Sequence, residues 1–371
     1  MEKTKSADKR ILSVDVLRGF DMFWLVGGTG LALAIVKFFG SGVQELLLPQ
    51  LDHAEWIGFT FYDLIFPLFE FLMGMSIVFS LSKILKLDGK AAAYRRLIRR
   101  FVLLFLLGIL YYGGFSNVWP EIRILGVLQR LALTYLLTGI LFIHFDLRAM
   151  AIFSGLILLG SWILLSFVPL PDSGVVSLTE QSNWAQYIDV LLLPGKKNGP
   201  GGTWDILGIL GTFTATVSCA LGVFAASILK SKKMNDKQRT IWLVGGGLSM
   251  VIIGYVWGIQ MPIVKKIWTP TYVLVAGGYS SLLMGIFYYL IDVKGYQEWT
   301  PMFVWIGVNP ITIYMARNLI DFNGIAKKLV GGNIALLAGE KWAYFLVALV
   351  SLGLSLLIVR FLYHKKIFLK V

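Results

Sequence analysis

About ten runs of roughly twenty mostly apolar residues follow one another along the 371-residue chain. A run of about that length is what an α-helix needs to cross the hydrocarbon of a bilayer. They lie near 12–38, 60–85, 97–116, 123–143, 148–169, 204–229, 240–260, 271–292, 301–320 and 342–363. The chain is 57% hydrophobic and 15% charged, whereas a soluble domain carries roughly 25% charged residues. No water-soluble core of this size hides that much apolar surface, so part of the solvent must be lipid. Lipid offers a backbone no hydrogen bonds, which leaves helices that satisfy their own. The expected fold is all-α and polytopic, with about ten transmembrane helices in one transmembrane domain spanning 1–371.

The net charge of +13 is distributed as a membrane protein distributes it. Lys and Arg gather in short clusters between apolar runs, which argues against a nucleic-acid partner. One side receives Lys3, Lys5, Lys9 and Arg10, then Lys83 through Arg100 with its "YRRLIRR", then Lys230 to Arg239, then Arg360 to Lys370. The other receives chiefly Lys196, Lys197, Lys265, Lys266, Lys327 and Lys328. The richer side is cytoplasmic by the positive-inside rule. Ten spans then place both termini inside and the 51–60 and 170–203 loops outside. The polar start "MEKTKSADKR" is not expected to be a cleavable signal. One cysteine, Cys219, in an apolar run gives no disulfide framework, and three scattered histidines build no metal centre.

Ionisable groups inside spans are costly and tend to mark a site or a pathway. Helical spacing collects several of them. In "SVDVLRGFDMFW", Asp15 and Arg18 share a face, and Thr29 returns to it about 21 Å further along. In the second span Asp63, Pro67, Glu70 and Gly74 form one polar, kinkable stripe. In "RILGVLQRLALTY", Arg123, Gly126, Arg130 and Thr134 share a face with Gln129 beside it. In "WIGVNPITIYMARN", Asn309 precedes Pro310 mid-span, where the helix should break and free a carbonyl. The plain reading makes these structural ion pairs. Buried pairs stabilise poorly, so several such stripes point instead to a polar cavity.

His53 opens "LDHAEWIGFTFYDLIFPLFEFLMG" (51–74), seven residues ahead of the second span. A lone loop histidine is most often a surface residue. This one can fold back over Asp63, and an ordinary imidazole titrates where a general base should. Trp56, Trp119, Trp184, Trp204 and Trp268 fall in or beside external loops. They read as an interfacial aromatic belt or as a stacking platform for a sugar. Trp56, Trp268 and Thr29 are the candidate acceptor contacts.

The same stretches carry a resemblance. "SVDVLRGFDMFW", "LDHAEWIGFTFYDLIFPLFEFLMGMSI", "RILGVLQRLALTYLL", "IWTPTYVLVAGGYSSLL" and "FVWIGVNPITIYMARN" resemble, in order, the motif blocks of the heparan-alpha-glucosaminide N-acetyltransferase family. Its bacterial relatives, some labelled N-acetylglucosamine-related transporters, are included. The resemblance implies a multi-pass acyltransferase, a homodimer, in a bacterial inner membrane. It would take acetyl from cytosolic acetyl-CoA and deliver it to a sugar amine or hydroxyl across the membrane. The family's catalytic histidine matches His53, and its Asp-x-x-Arg-Gly matches Asp15, Arg18 and Gly19. Where the family has Asn in the first span, this chain has Thr29.

The residues themselves suit that chemistry. A polyanionic donor belongs on the basic side, where Arg18 and Arg130 can offer bidentate donors to its phosphates or its thioester region. Asp15 and Asn309 complete the candidate donor contacts. His53 would take the acceptor's proton or carry acetyl itself, with Asp63 orienting the imidazole. Gln129 and Asn309 would polarise the thioester carbonyl. No metal is expected. The alternative is a transporter of an amino sugar or related solute, which also uses broken helices and intramembrane charges.

Overall fold

The computed structural model describes residues 11–368. Sixteen α-helices make up most of them, and the described residues contain no β-strand beyond two isolated bridges. In chain order the helices are α1 (Leu12–Phe23), α2 (Thr29–Val36), α3 (Ser41–Leu47), α4 (Ile65–Leu87), α5 (Gly89–Tyr111) and α6 (Val127–His144). Then come α7 (Leu147–Phe167), α8 (Trp184–Leu192), α9 (Ile209–Lys230), α10 (Asp236–Gly258) and α11 (Pro270–Phe287). The last are α12 (Pro301–Val308), α13 (Pro310–Leu319), α14 (Phe322–Val330), α15 (Asn333–Ala338) and α16 (Glu340–His364).

Among the described residues, eight helical stretches are long and apolar enough to cross a membrane. They coincide with eight of the ten expected runs. The run near 97–116 falls on α5, whose first half carries Arg95, Arg96, Arg99 and Arg100 and so is apolar only in its second. The run near 301–320 is two short helices, α12 and α13, separated at Asn309–Pro310. The basic residues at the N-terminus and Lys370, used for orientation, lie outside the described residues.

The chain divides into two compact units, each assembled from discontinuous stretches. The larger holds 36–233 and 245–281. Its centre is the crossing of α4 and α9. A Cβ on Gly74 would lie 1.8 Å from the carbonyl oxygen of Cys219, and one on Gly222 1.8 Å from that of Phe71. The two backbones therefore touch, as small residues allow between membrane helices. This corrects the reading of Gly74 as a kink point: α4 is unbroken, and Pro67 sits in its first turn, where no backbone donor is missed. The 170–208 segment is a folded cap rather than a loose loop. Asn183 caps α8, and the buried Asp189 carboxylate accepts the backbone N–H groups of Asp205 (3.1 Å) and Ile209 (2.9 Å). Burial raises the Asp189 carboxyl above the usual range.

The smaller unit holds the described residues up to 35, with 234–244 and 282–368. The first run is not one regular helix. A π-turn over Trp24–Gly28 separates α1 from α2, with Gly27 at φ 146°, a value L side chains rarely adopt. The carboxylate of Asp292 accepts the N–H groups of Leu12 and Ser13, both at 3.0 Å, and so fixes the start of α1.

Candidate active site

The segment before α4 folds back through its own hydrogen bonds. Thr60 caps the 3₁₀ turn Phe61–Leu64 in a capping box whose acidic member is Asp63. One oxygen of Asp63, Oδ2, accepts the N–H of Thr60 (3.1 Å) and of Ala54 (3.2 Å). The latter bond pulls 52–54 over the end of the helix. The other oxygen, Oδ1, then lies 2.8 Å from Nδ1 of His53. Asp63 is fully buried, while the His53 side chain is 48% exposed. The ring of Tyr62 lies against the imidazole with centroids 4.7 Å apart. All the described hydrogen bonds of the ring fall on Nδ1.

A third group arrives from 212 residues further along the chain. Lys265, between α10 and α11, places Nζ 2.9 Å from His53 Nδ1 and 3.2 Å from Asp63 Oδ1. Burial pushes its amine down to about 8, against the opposing pull of Asp63. Sequence reasoning counted Lys265 only as a loop charge. Its position follows from a tight turn in which the N–H of Trp268 donates to the Lys265 carbonyl (3.0 Å). Trp268 adopts φ 55° there, in the left-handed region, which costs a side-chain-bearing residue about 1–2 kcal/mol. Such strain persists only where surroundings over-determine it. Here Thr214 Oγ1 donates to the Trp268 carbonyl (2.7 Å), and Trp268 Nε1 donates to Ser218 Oγ (3.2 Å).

The same turn sets a second layer. The Trp268 indole is buried between Phe66, Tyr272 and the guanidinium of Arg130, 4.8 Å from the ring. That burial corrects the reading of Trp268 as part of an aromatic belt or an open stacking platform. Tyr272 joins the two layers, its hydroxyl donating to the Asp63 carbonyl (2.8 Å). Arg130 donates through Nη2 to the carbonyls of Ile206 (3.4 Å) and Gly208 (3.3 Å). Its Nε and Nη1, and both carboxylate oxygens of Glu70, are buried and make no hydrogen bond among the described residues. Polar atoms in that condition need a water or a ligand.

Other expected residues are placed differently. Arg123 precedes α6 and so leaves the helical face assigned to it; it grips Asp205 bidentately at 2.8 and 2.7 Å and pins the cap. Gln129 is buried against Gly108 of α5, whereas Arg130 meets Gly211 of α9. Consecutive helical residues point about 100° apart, and Gln129 does not join the His53 cluster. Trp56 is half-buried, its Nε1 donating to the Leu178 carbonyl (3.0 Å) and its ring facing the Lys266 ammonium at 5.9 Å. The smaller unit holds the remaining four. Asp15 and Arg18 pair at 3.3 Å, and Arg18 also reaches the Gly307 carbonyl at 3.4 Å. The Thr29 hydroxyl donates to the Trp24 carbonyl (3.0 Å), which also accepts the Thr29 N–H at the end of the π-turn. The Asn309 amide is buried at the α12–α13 break with neither of its atoms hydrogen-bonded among the described residues. No group of three or more metal-ligating side chains occurs among the described residues.

An exposed imidazole whose Nδ1 is held by a buried carboxylate has the make-up of an oriented base. Residues 10–194, which include His53, Asp63 and Arg130, match the family model described as "Heparan-alpha-glucosaminide N-acetyltransferase, catalytic". A protein of that name from Mus musculus is 28% identical over 427 residues, covering 100% of this chain and 62% of its own length. The Homo sapiens protein is 29% identical over 419 residues, covering 98% and 60%. The chain spans about three fifths of the length of these curated relatives.

Proposed function

We propose that the chain belongs to the heparan-alpha-glucosaminide N-acetyltransferase family, whose catalytic model matches residues 10–194, and that it is a multi-pass membrane acetyltransferase. It moves acetyl from acetyl-CoA, held on the basic cytoplasmic side, to an amine or hydroxyl of an amino sugar or glycan on the other. The setting is a bacterial inner membrane and the working form a homodimer. The observation that carries this reading is the His53 Nδ1–Asp63 Oδ1 contact of 2.8 Å, with no hydrogen bond on Nε2 among the described residues. Asp63 orients the ring and balances the charge it gains when Nε2 takes the acceptor's proton. The alternative within this chemistry is that His53 carries acetyl briefly itself.

Burial divides the two arginines between tasks. Arg130 is fully buried, out of reach of a diphosphate, so its two unpartnered nitrogens suit the small end of the donor, the thioester carbonyl. Arg18, in the smaller unit, keeps some exposure, 19% of its side chain, and suits an anionic group. Asn309 and Asp15 remain donor contacts in this reading, and Trp56 an acceptor contact. A second reading, transport of an amino sugar, draws on the α12–α13 break, since discontinuous helices commonly hold transported solutes.

One experiment separates them. Purified protein is given acetyl-labelled acetyl-CoA and a panel of amino sugars and glycans. Label on the sugar with free CoA formed establishes the transferase; unmodified sugar crossing a proteoliposome establishes the transporter. His53→Ala should lower transfer about 10²–10⁴-fold, the range of a positioned general base. The variant should still fold and bind acetyl-CoA, because an exposed side chain leaves no core cavity. Near-parental turnover in that variant would remove His53 from the chemistry.

A further inference from the structure

Nδ1 of His53, Oδ1 of Asp63 and Nζ of Lys265 form a triangle with sides of 2.8, 3.2 and 2.9 Å. Three elements distant in sequence supply its corners. The hydrogens available do not fill every side in every charge state. Asp63 is held as an acceptor, because its other oxygen already takes two backbone N–H groups. The Nδ1–Nζ side has room for one hydrogen. An ammonium is a donor only. With Lys265 protonated, Nδ1 must accept, and the single proton of a neutral imidazole sits on Nε2. With Lys265 neutral, Nδ1 carries the proton and donates to Oδ1, and Nε2 presents its lone pair.

We propose that Lys265 is the positioning residue that selects the imidazole tautomer of His53, freeing the Nε2 lone pair when neutral and withholding it when protonated. The proposal deepens the acetyltransferase reading and rests on it for its catalytic meaning, though not for the tautomer itself. In the reaction Nε2 takes the acceptor's proton as the new bond to the acetyl carbon forms. It returns that proton to the sulfur of CoA as the carbon–sulfur bond breaks. Nδ1–H stays on Asp63 throughout, and Lys265 neither gains nor loses a proton in the cycle.

The surroundings leave this role to Lys265. Lys266 turns away to pair with Glu180 and to face Trp56. Asp52 accepts the backbone N–H of His53 (2.7 Å) rather than a ring proton. Tyr62 meets the face of the ring, and the Tyr272 hydroxyl is committed to the Asp63 carbonyl. The Lys265 side chain is 18% exposed, and its burial brings the amine's proton loss to about 8, within reach of ordinary assay conditions.

The test uses the whole chain in detergent with ¹⁵N-labelled histidine, the His53 signals being assigned by their loss in His53→Asn. In the parent, the neutral ring should pass from the Nε2–H to the Nδ1–H form between about pH 7 and about pH 9. The initial rate at saturating donor should rise about tenfold over the same interval, because the neutral fraction of an amine titrating near 8 rises from about one tenth to about nine tenths. Lys265→Met should hold the Nδ1–H form and a flat rate across that interval. Lys265→Arg, which stays charged, should hold the Nε2–H form and no more than the parent's low-pH rate. A parent ring that is Nδ1–H throughout, or a Lys265→Met protein that keeps the parent's rise, overturns the assignment. A tautomer switch in a protein that moves no acetyl group would uphold it and sink the acetyltransferase reading instead.

Discussion

Asp63 does two jobs with two oxygens. Oδ2 closes the turn that carries His53, and Oδ1 meets the imidazole that the turn delivers. Asp63→Asn separates them. The amide oxygen can still accept from Thr60 and Ala54, so the turn survives. The amide nitrogen then faces Nδ1 and donates to it, which forces the imidazole proton onto Nε2. A correctly placed ring in the wrong tautomer should cost about 10²–10⁴ in kcat with little change in donor KM. Steady-state kinetics on the labelled-acetyl assay reads both. A donor KM that rises by the same factor as kcat falls would mean that Asp63 holds the donor instead. The pairing of His53 with Asp63 was legible in the sequence because ten residues separate them and a short turn can close that gap. Lys265 was not legible. It lies 212 residues from His53, and nothing in the local pattern of "PIVKKIWTPT" sets it apart from any loop lysine.

Helices meet the site through contacts that admit no side chain. The α4–α9 crossing at Gly74 and Gly222 fixes where Glu70 stands, one turn before Gly74 on the same helix. α9 begins at the Gly208 carbonyl that receives Arg130. Gly222→Val puts a branched carbon where a Cβ alone already sits 1.8 Å from a backbone oxygen. Overpacking typically costs about 1–3 kcal/mol where side chains can yield, and here a backbone would have to. The variant should lose its monodisperse peak in fluorescence-detected size-exclusion chromatography, while Gly155→Val, where nothing lies within 4 Å of an added Cβ, should keep it. Two equal profiles would show that the crossing tolerates separation. Breaks in the helices were unevenly legible. Asn309–Pro310 announced one, because proline removes the donor and restricts the residue before it. The π-turn at Trp24–Gly28 gave no sign, since Gly27 in an apolar run reads like any small residue in a membrane helix. Arg123 fell on a helical face by spacing alone, yet Gly126 is extended and α6 starts after it.

The whole molecule must put acceptor and donor on different sides of a membrane if only acetyl is to cross. α4 carries that requirement. It runs 23 residues, about 34 Å at 1.5 Å per residue, against a hydrocarbon core of about 30 Å. His53 lies before its start, and the turn into α5 lies after its end, followed by Lys90, Arg95, Arg96, Arg99 and Arg100. Four cations at the His53 end are matched to carboxylates: Lys265 to Asp63, Lys266 to Glu180, Lys196 to Glu121 and Arg123 to Asp205. Among the described residues Lys90, Arg95, Arg96, Arg99 and Arg100 form no ion pair, so the field of the α5 end suits a polyanionic donor and its charge bias suits the cytoplasm. The proposed orientation rests on a loop count that the sequence already offered, whereas the ion pairing at the His53 end needed the fold. The decisive measurement places single cysteines at exposed Glu55 and Lys90 in a Cys219→Ser background. An impermeant thiol reagent added to intact cells should label Glu55→Cys at once and Lys90→Cys only after permeabilisation. If both positions label from outside, α4 does not carry its two ends to opposite faces. His53 and the basic end of α5 would then share one compartment, and acetyl transfer across the membrane would have no path through this unit.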